Sequence, residues 1–491
     1  MKKIITFLIT LVLALGLFGC GNDKPPENGN GNGDEPKIDL KGIDFIIMVD
    51  NKSSADPRLE TYSSLFRDEN IAKIEAAEKK YNIKVVYENY PSNASWGAAR
   101  TRWIVEQAEL GVRPAHVFEV NSMFTGSLAA QKAILPLDDL IETYGVKGYW
   151  PEKMIFGQVL GKHYLYDSSY PVADDGLYYN SDLLAEVLGP ERRNEPTDKW
   201  LEGTWTWDAF HDLALELKGK LDHNRSEEEG GPQYVLGGRV YNWVYTMIGS
   251  NGASLVDSDF NTHLTDQAVI DTVDFLHNLY AVEGMWIANA PLANASQPEF
   301  KAGNVVFHNG HSWHINASNK WGGAEFVIDF VPYPVGPNIK SDKSNYYVNH
   351  VYGKAGYAIS SAYSKENIPE GYEDMIIHSE TIFKIWHDLQ YFPKFDEATQ
   401  LISTEEIYLA FYNTSLRPYY GSKKSMDAHM DVIDLARPEF FYSFEEAQSH
   451  DANESYMLEL QNAVHHGDSR RILEAIEAKL IAIIQERYFS D

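Results

Sequence analysis

The chain has 491 residues, a formal charge of −29 and one cysteine. That length exceeds the roughly 250–300 residues at which a single core stops growing, so more than one domain is expected. The acidity argues against nucleic acid or anionic headgroups as partners, and a lone cysteine excludes an internal disulfide, so the core must hold the fold.

The first element in chain order is a signal-like segment. Lys2 and Lys3 precede residues 4–18, an uncharged stretch shorter than the roughly 20 apolar residues of a spanning helix. Leu17-Phe18-Gly19-Cys20 then sets small Gly19 directly before the only cysteine. This pattern resembles a bacterial lipoprotein signal with its lipobox. The resemblance implies cleavage before Cys20, lipidation of the Cys20 sulfur and export to the outer face of the membrane. Loss of residues 1–19, with two lysines, would take the charge from −29 to −31. Attachment would then rest on acyl chains, not on a basic patch. An ordinary secretory peptide, or an uncleaved anchor with a coincidental cysteine, is the alternative. Residues 21–37 are Gly, Asn, Pro and charge with no apolar side chain, the composition of a flexible linker.

Short apolar runs then alternate with helical patterns. Residues 43–49 read as a buried strand, 70–81 as a helix, 83–87 as a strand, 99–110 as a helix and 115–120 as a strand. This alternation predicts βαβ units and a mainly parallel sheet. Thr206 is placed to cap a helix carrying Trp207, Phe210, Ala214 and Leu217. Thr265 is placed to cap another, with Val269, Val273, Leu276 and Tyr280 on one face. Residues 189–232 are otherwise charged and rich in Gly and Pro, with a surface loop near 222–231. The chain closes on an amphipathic helix carrying Leu473, Ile476, Leu480 and Ile484.

Nine segments in order carry a wider resemblance: the helix and strand over 71–87 with PAHVF at 114–118, AAQKAILPLDDL at 129–140, GKHY at 161–164, DGLYYNSDLL at 175–184, WTWDAF at 205–210, FKAG at 300–303, GHSW at 310–313, VPYPVGP at 331–337 and GYAISS at 356–361. Together they resemble the family 1 extracellular solute-binding proteins, the sugar receptors of ABC importers. Two departures stand out: His308, His311 and His314 near Gly310, and the greater length of this chain. The resemblance implies an α/β, two-lobed periplasmic-binding-protein-like fold, each lobe a mainly parallel sheet flanked by helices. Three crossing segments would join the lobes, near 170–175, 307–310 and 359–361. The expected boundaries are 1–19 signal, 20–37 lipidated Cys20 and linker, 38–172 plus 309–359 first lobe, and 173–308 plus 360–491 second lobe.

A sugar presents apolar C–H faces and a rim of hydroxyls, which calls for flat aromatic rings with polar acceptors and donors. Trp96, in the loop after the second strand, is a ligand contact or a loop anchor. Glu119 and Asn121 follow the third strand, where the family places polar contacts. Tyr170, Asp174 and Asp175 lie at the first crossing, either accepting sugar hydroxyls or forming a solvated hinge. Asn242 and Trp243 form part of VYNWVY, and by order in the family pattern Trp243 should stack on a sugar ring or else pack in the core. Trp313 and Tyr352 flank the later crossings. Trp205, Trp207 and Trp386 read as structural. His308, His311 and His314 have a metal-like spacing, but Gly310 and the strand-like run before it argue against one helix face, so no metal is assigned. The run beginning at Asp257 fails as a calcium loop, with Thr262 at the glycine position and Ala268 at the glutamate position.

No Walker motif, G-x-S-x-G or H-E-x-x-H occurs, so no enzyme activity and no cofactor are expected. The resemblance implies a monomeric receptor, lipid-anchored on the extracellular face, that passes a carbohydrate to ABC permease subunits. The alternatives are a surface lipoprotein glycoside hydrolase using a carboxylate pair, a receptor for a peptide or polyamine, and a glycan sensor without a permease.

Overall fold

The computed structural model describes residues 38–146, 155–167, 173–287, 297–339, 343–350, 355–372, 376–392, 394–403, 405–444 and 455–489. The signal segment, Cys20, the whole linker, Tyr170 and Tyr352 lie outside them. Eight strands build two four-stranded sheets: β1 Ile43–Val49, β2 Ile83–Asn89, β3 Val117–Asn121, β4 Asp175–Asn180, β5 Tyr234–Gly237, β6 Val305–His311, β7 Ile328–Val331 and β8 Ala355–Ala358.

The first sheet runs β8-β3-β1-β2. β1 lies parallel to β2 and to β3, with Ile47 opposite both Tyr87 and Val117, while β8 is antiparallel, with Tyr357 opposite Glu119. Parallel neighbours need long crossovers, and the helices Arg67–Tyr81 and Gly97–Glu109 supply them. β1 forms because Phe45, Ile47 and Val49 alternate onto a fully buried face; burying each contributes about 1.5–3 kcal/mol. Asn82, at φ +51, ends the first helix in the left-handed region and turns the chain into β2.

The second sheet runs β5-β6-β4-β7 and is mixed. β5 is parallel to β6, whereas β4 is antiparallel to both β6 and β7. All six residues of β4 and all seven of β6 are buried, as central strands covered on both faces must be. Asn180 ends β4 and caps the helix Ser181–Leu188, its Oδ1 accepting from Leu183 N at 2.9 Å.

The chain leaves the first sheet after Tyr166, which bridges Tyr357, and enters the second at Asp175. The other expected boundaries need correction. β6 does not lead back to the first lobe; after a short turn at Ser312–Ile315 the chain returns as β7 along the other edge of β4. Residues 343–350 also stay with the second lobe, where Tyr347 N donates to Gly249 O at 3.1 Å. Return to the first sheet comes only at β8, so 309–339 and 343–350 belong to the second lobe. The four buried residues of β7 explain why: an apolar strand completes the sheet whose edge it can cover. Residues after 360 likewise begin in the first lobe. Asp388, at the end of the helix Ser379–Leu389, accepts from Lys80 and from Tyr81 Oη, both at 2.7 Å. By the helix Lys423–Met430 the chain is back on β7, with Phe330 N donating to Ser425 Oγ at 3.1 Å.

Thr206 caps the helix Trp207–Lys220 as its position suggests. Thr265 does not cap; its hydroxyl donates to Glu477 at 2.6 Å, and the helix Gln267–Tyr280 starts after Asp266. That helix packs with Tyr456–His466 and Ser469–Tyr488, burying Leu473, Ile476, Leu480 and Ile484.

Candidate functional site

Ligands of open α/β sheets bind outside the carboxyl ends of the parallel strands. In the first lobe those ends bring Asp50, Glu119 and Asn121 together. Asp50 N donates to Glu119 Oε2 at 2.9 Å, and Tyr90 Oη donates to Glu119 O at 2.7 Å. Burial pushes the Glu119 carboxyl above the usual range against the Asp50 hydrogen bond, which lowers it. Asn121 is engaged locally, its Oδ1 accepting from Met123 N at 3.1 Å to cap a short turn. Beside them, buried Arg100 pairs with Asp50 and lies 4.1 Å from the Tyr90 ring centre and 5.4 Å from that of Trp96. The Trp96 indole is thus held on one side and is 49% exposed.

The second lobe contributes the carboxyl end of β6 and the first turn after it. Asp175 stands opposite His311 across the β4–β6 ladder, and its Oδ1 is 3.3 Å from His311 Nε2. Asp174 Oδ1 accepts from Ser312 N at 3.1 Å, and its Oδ2 is 3.9 Å from His311 Nδ1. Both carboxylates therefore fasten the first crossing segment to the end of β6. Trp313 projects beyond this knot, 51% exposed, edge-on to His314 with ring centres 4.3 Å apart.

Trp243 is not a surface indole. It is 0% exposed, its N–H donates to Gly237 O at 2.8 Å, and it is packed against Phe210, Trp286 and Tyr333. The helix Val240–Ser250 is apolar on nearly every side, and such a helix is buried all round. Half-buried Asn242 sits on that helix, where its carbonyl accepts from Thr246 Oγ1 at 2.8 Å. Neither residue joins the exposed groups above. Trp205, Trp207 and Trp386 are buried.

His311 and His314 meet edge-on with ring centres 5.2 Å apart, but His308 stands apart from them. His308 and His311 are three apart on a strand, so they point to opposite faces of the sheet. His308 packs against Trp321, ring centres 5.2 Å apart. Among the described residues no group of three or more His, Cys, Asp or Glu is arranged to hold a metal ion. Asp257 closes a polar hairpin, its Oδ1 accepting from the N–H groups of Asp259 and Asn261, both at 2.9 Å.

A feature absent from the sequence reading is a cavity of about 280 Å3 in the first lobe, lined among others by Tyr62, Tyr87, Asp167, Tyr357, Trp386 and Tyr391. Tyr357 pairs with Glu119 in the middle of β3, so the cavity lies beside that strand. The signal was present as alternation: Tyr87 and Glu119 follow the inward face of their strands, at even spacing from Val85 and Val117.

The model for bacterial extracellular solute-binding proteins matches residues 63–371, more than half of the chain. No curated protein matches the sequence at a meaningful level. Among solved structures, an ABC substrate-binding protein of Listeria monocytogenes in complex with cycloalternan is 14% identical, with 90% of this chain and 99% of that chain covered and a TM-score of 0.57. The sugar-binding protein MalE of the phytopathogen Xanthomonas citri is 13% identical over 91% of this chain and 100% of its own, with a TM-score of 0.57. A cyclo/maltodextrin-binding protein complexed with maltotetraose is 14% identical over 91% and 98%, with a TM-score of 0.56. At such identities the likeness extends to the fold, a two-lobed α/β architecture.

Proposed function

We propose a function from one premise: the chain belongs to the bacterial extracellular solute-binding protein family. It captures a carbohydrate between its lobes and delivers it to the permease of an ABC importer. The observation that carries this reading is the pair of half-exposed indoles, Trp96 on the first lobe and Trp313 on the second, each beside hydrogen-bonding carboxylates. Indole faces accept the C–H faces of a sugar ring, and acceptors such as Glu119, Asp174 and Asp175 suit its hydroxyls, with Asn121 beside them. Tyr170 and Tyr352 flank the same crossings and belong to the proposed set. Lobe closure about the crossings would trap the ligand.

The protein acts without chemical change of its ligand. Asp174 and Asp175 are held by Ser312 N and His311, an arrangement that fixes carboxylates in place to orient a joint and a ligand. Cys20 carries the lipid anchor, and residues 21–37 hold the body away from the outer face of the membrane. No helix among the described residues is long and apolar enough to cross a membrane.

The test is a thermal-shift screen of the purified chain against a glycan panel, followed by calorimetry and a reducing-end assay. A bound saccharide raises the melting temperature, by an amount that grows with the logarithm of its concentration relative to Kd. A panel with no saccharide that raises it would refute the carbohydrate reading, and release of reducing ends would favour the glycoside hydrolase instead.

A further inference from the structure

The cavity of the first lobe shares no lining residue with Trp96, Trp313 or the carboxylates beside them. Its wall comes from one face of the first sheet and from two helices, Arg67–Tyr81 and Ser379–Leu389. Ile47 stands opposite both Tyr87 and Val117, and Glu119 stands opposite Tyr357, so the two tyrosines share that face. Six lining residues are aromatic: Tyr62, Phe66, Tyr87, Tyr357, Trp386 and Tyr391. Phe66 stacks on Tyr391 with ring centres 4.6 Å apart, and the rings of Tyr357 and Trp386 stand 4.2 Å apart. Among the described residues no Lys, Arg or His lines the cavity, and its one charged residue is Asp167. Several polar groups of the wall are already engaged. Trp386 Nε1 donates to Tyr166 O at 3.3 Å, Tyr391 Oη to Glu406 at 2.7 Å, and Asn70 Nδ2 to Tyr62 Oη at 2.9 Å. The hydroxyls of Tyr87 and Tyr357 have no hydrogen-bond partner among the described residues, although Tyr87 is only 8% exposed.

A buried hydroxyl without a partner is costly, and two of them opening on one cavity call for a polar atom between them. The volume of about 280 Å3 lies at the lower end of ligand pockets, so it suits a compact organic molecule. A sugar needs a partner for nearly every hydroxyl, and this wall has few polar groups left to give. An organic cation needs ring faces instead. An ammonium within about 6 Å of a Tyr or Trp ring centre is attracted by the ring, more strongly where water is excluded. A wall of six rings, one carboxylate and no cation has the electrostatic sign that such a guest requires.

We propose that this cavity is a second ligand site, which takes a compact quaternary ammonium compound. The ammonium lies among the aromatic rings on the side of Asp167, and a polar tail meets the hydroxyls of Tyr87 and Tyr357. This site is independent of the carbohydrate reading. The alternative is a solvated gap between two helices and the sheet they cover.

Calorimetry with the full chain in nonionic detergent distinguishes these. The probes are choline, glycine betaine, glucose and 3,3-dimethylbutan-1-ol, the uncharged carbon isostere of choline. The proposal expects choline or betaine to bind at least roughly tenfold more tightly than the isostere. Tyr62→Leu removes a half-buried ring and should weaken that cation at least roughly fivefold, whereas Tyr62→Phe should retain it. Asp167→Asn keeps the shape of the side chain and should weaken the cation while leaving the isostere unchanged. Melting temperatures without ligand show that each variant is folded; should Tyr62→Leu fail to fold, Asp167→Asn carries the test. Equal affinity for cation and isostere, tighter binding of glucose, or undiminished cation binding in both Tyr62→Leu and Asp167→Asn would overturn the proposal. So would failure of both cations to bind, and each of these results would leave the carbohydrate reading intact.

Discussion

Trp313→Ala and Trp243→Ala separate a binding indole from a core indole within one lobe. Trp313 is 51% exposed, so of the about 250 Å2 a tryptophan can bury, roughly half remains for a ligand to cover. At about 25 cal/mol per Å2, full cover amounts to about 3 kcal/mol, and cover of one ring face to about half of that. Trp313→Ala should therefore weaken saccharide binding by about 1.5–3 kcal/mol, roughly 10- to 150-fold in Kd. Its stability should fall by only about 1 kcal/mol, since half of the side chain is already in water. Trp243 is fully buried with its N–H satisfied, so Trp243→Ala leaves a cavity and should cost about 3–5 kcal/mol of stability. The assay is calorimetry with the saccharide chosen by the thermal screen, beside urea unfolding of both variants. Wild-type affinity in a folded Trp313→Ala protein would refute the placement of the site. Wild-type stability in Trp243→Ala would refute the account of the core.

Three further outcomes are expected. Burial pulls the His116 imidazole down to about 4, and its Nδ1 accepts a hydrogen bond from Ile46 N at 3.0 Å. The unfolded chain protonates this group near pH 6.5, so from there down to about pH 4 the unfolded state binds more protons and stability falls, by about 3 kcal/mol at most. His116→Asn keeps an acceptor for Ile46 N but cannot titrate, so its urea midpoint should drop less between pH 7 and pH 4.5; equal drops would sink this assignment. Gly238 has φ +94, and a Cβ there would stand 2.0 Å from Asn309 Oδ1, so Gly238→Ala should cost about 2–4 kcal/mol, read as a lowered melting temperature. Buried Glu439 accepts from the N–H groups of Leu255, Val256 and Phe441 at 2.8, 3.0 and 3.1 Å. Glu439→Gln turns an amide donor toward those donors and should destabilise by about 2–4 kcal/mol in urea.

Much of the first lobe was legible because its elements are local. The β-branched run of β1 and the helix before β2 each follow from a few neighbouring residues, as does the cap at Thr206 in the second lobe. The amphipathic final helix did so too, through Leu473, Ile476, Leu480 and Ile484. The boundaries of the lobes were harder, because whether 328–331 pairs with β4 or elsewhere is decided by sheet edges far apart in sequence. Trp243 shows the same limit at the site. An indole in an apolar helix looks the same in sequence whether it faces ligand or core, and only the burial of the whole helix decides. The cavity beside Glu119 was hidden for a related reason: Tyr87, Tyr357 and Trp386 come from three distant segments.

Ser312 lies one residue before Trp313, and Asp174 grips its amide from the segment joining the two sheets. A rotation of that joint must therefore drag the indole with it. Emission from a half-wet indole moves to shorter wavelength as water is stripped away, while enclosed indoles such as Trp205, Trp243 and Trp321 have no solvent to lose. The molecule thus contains its own optical reporter, able to signal the swing of one half against the other without any added dye.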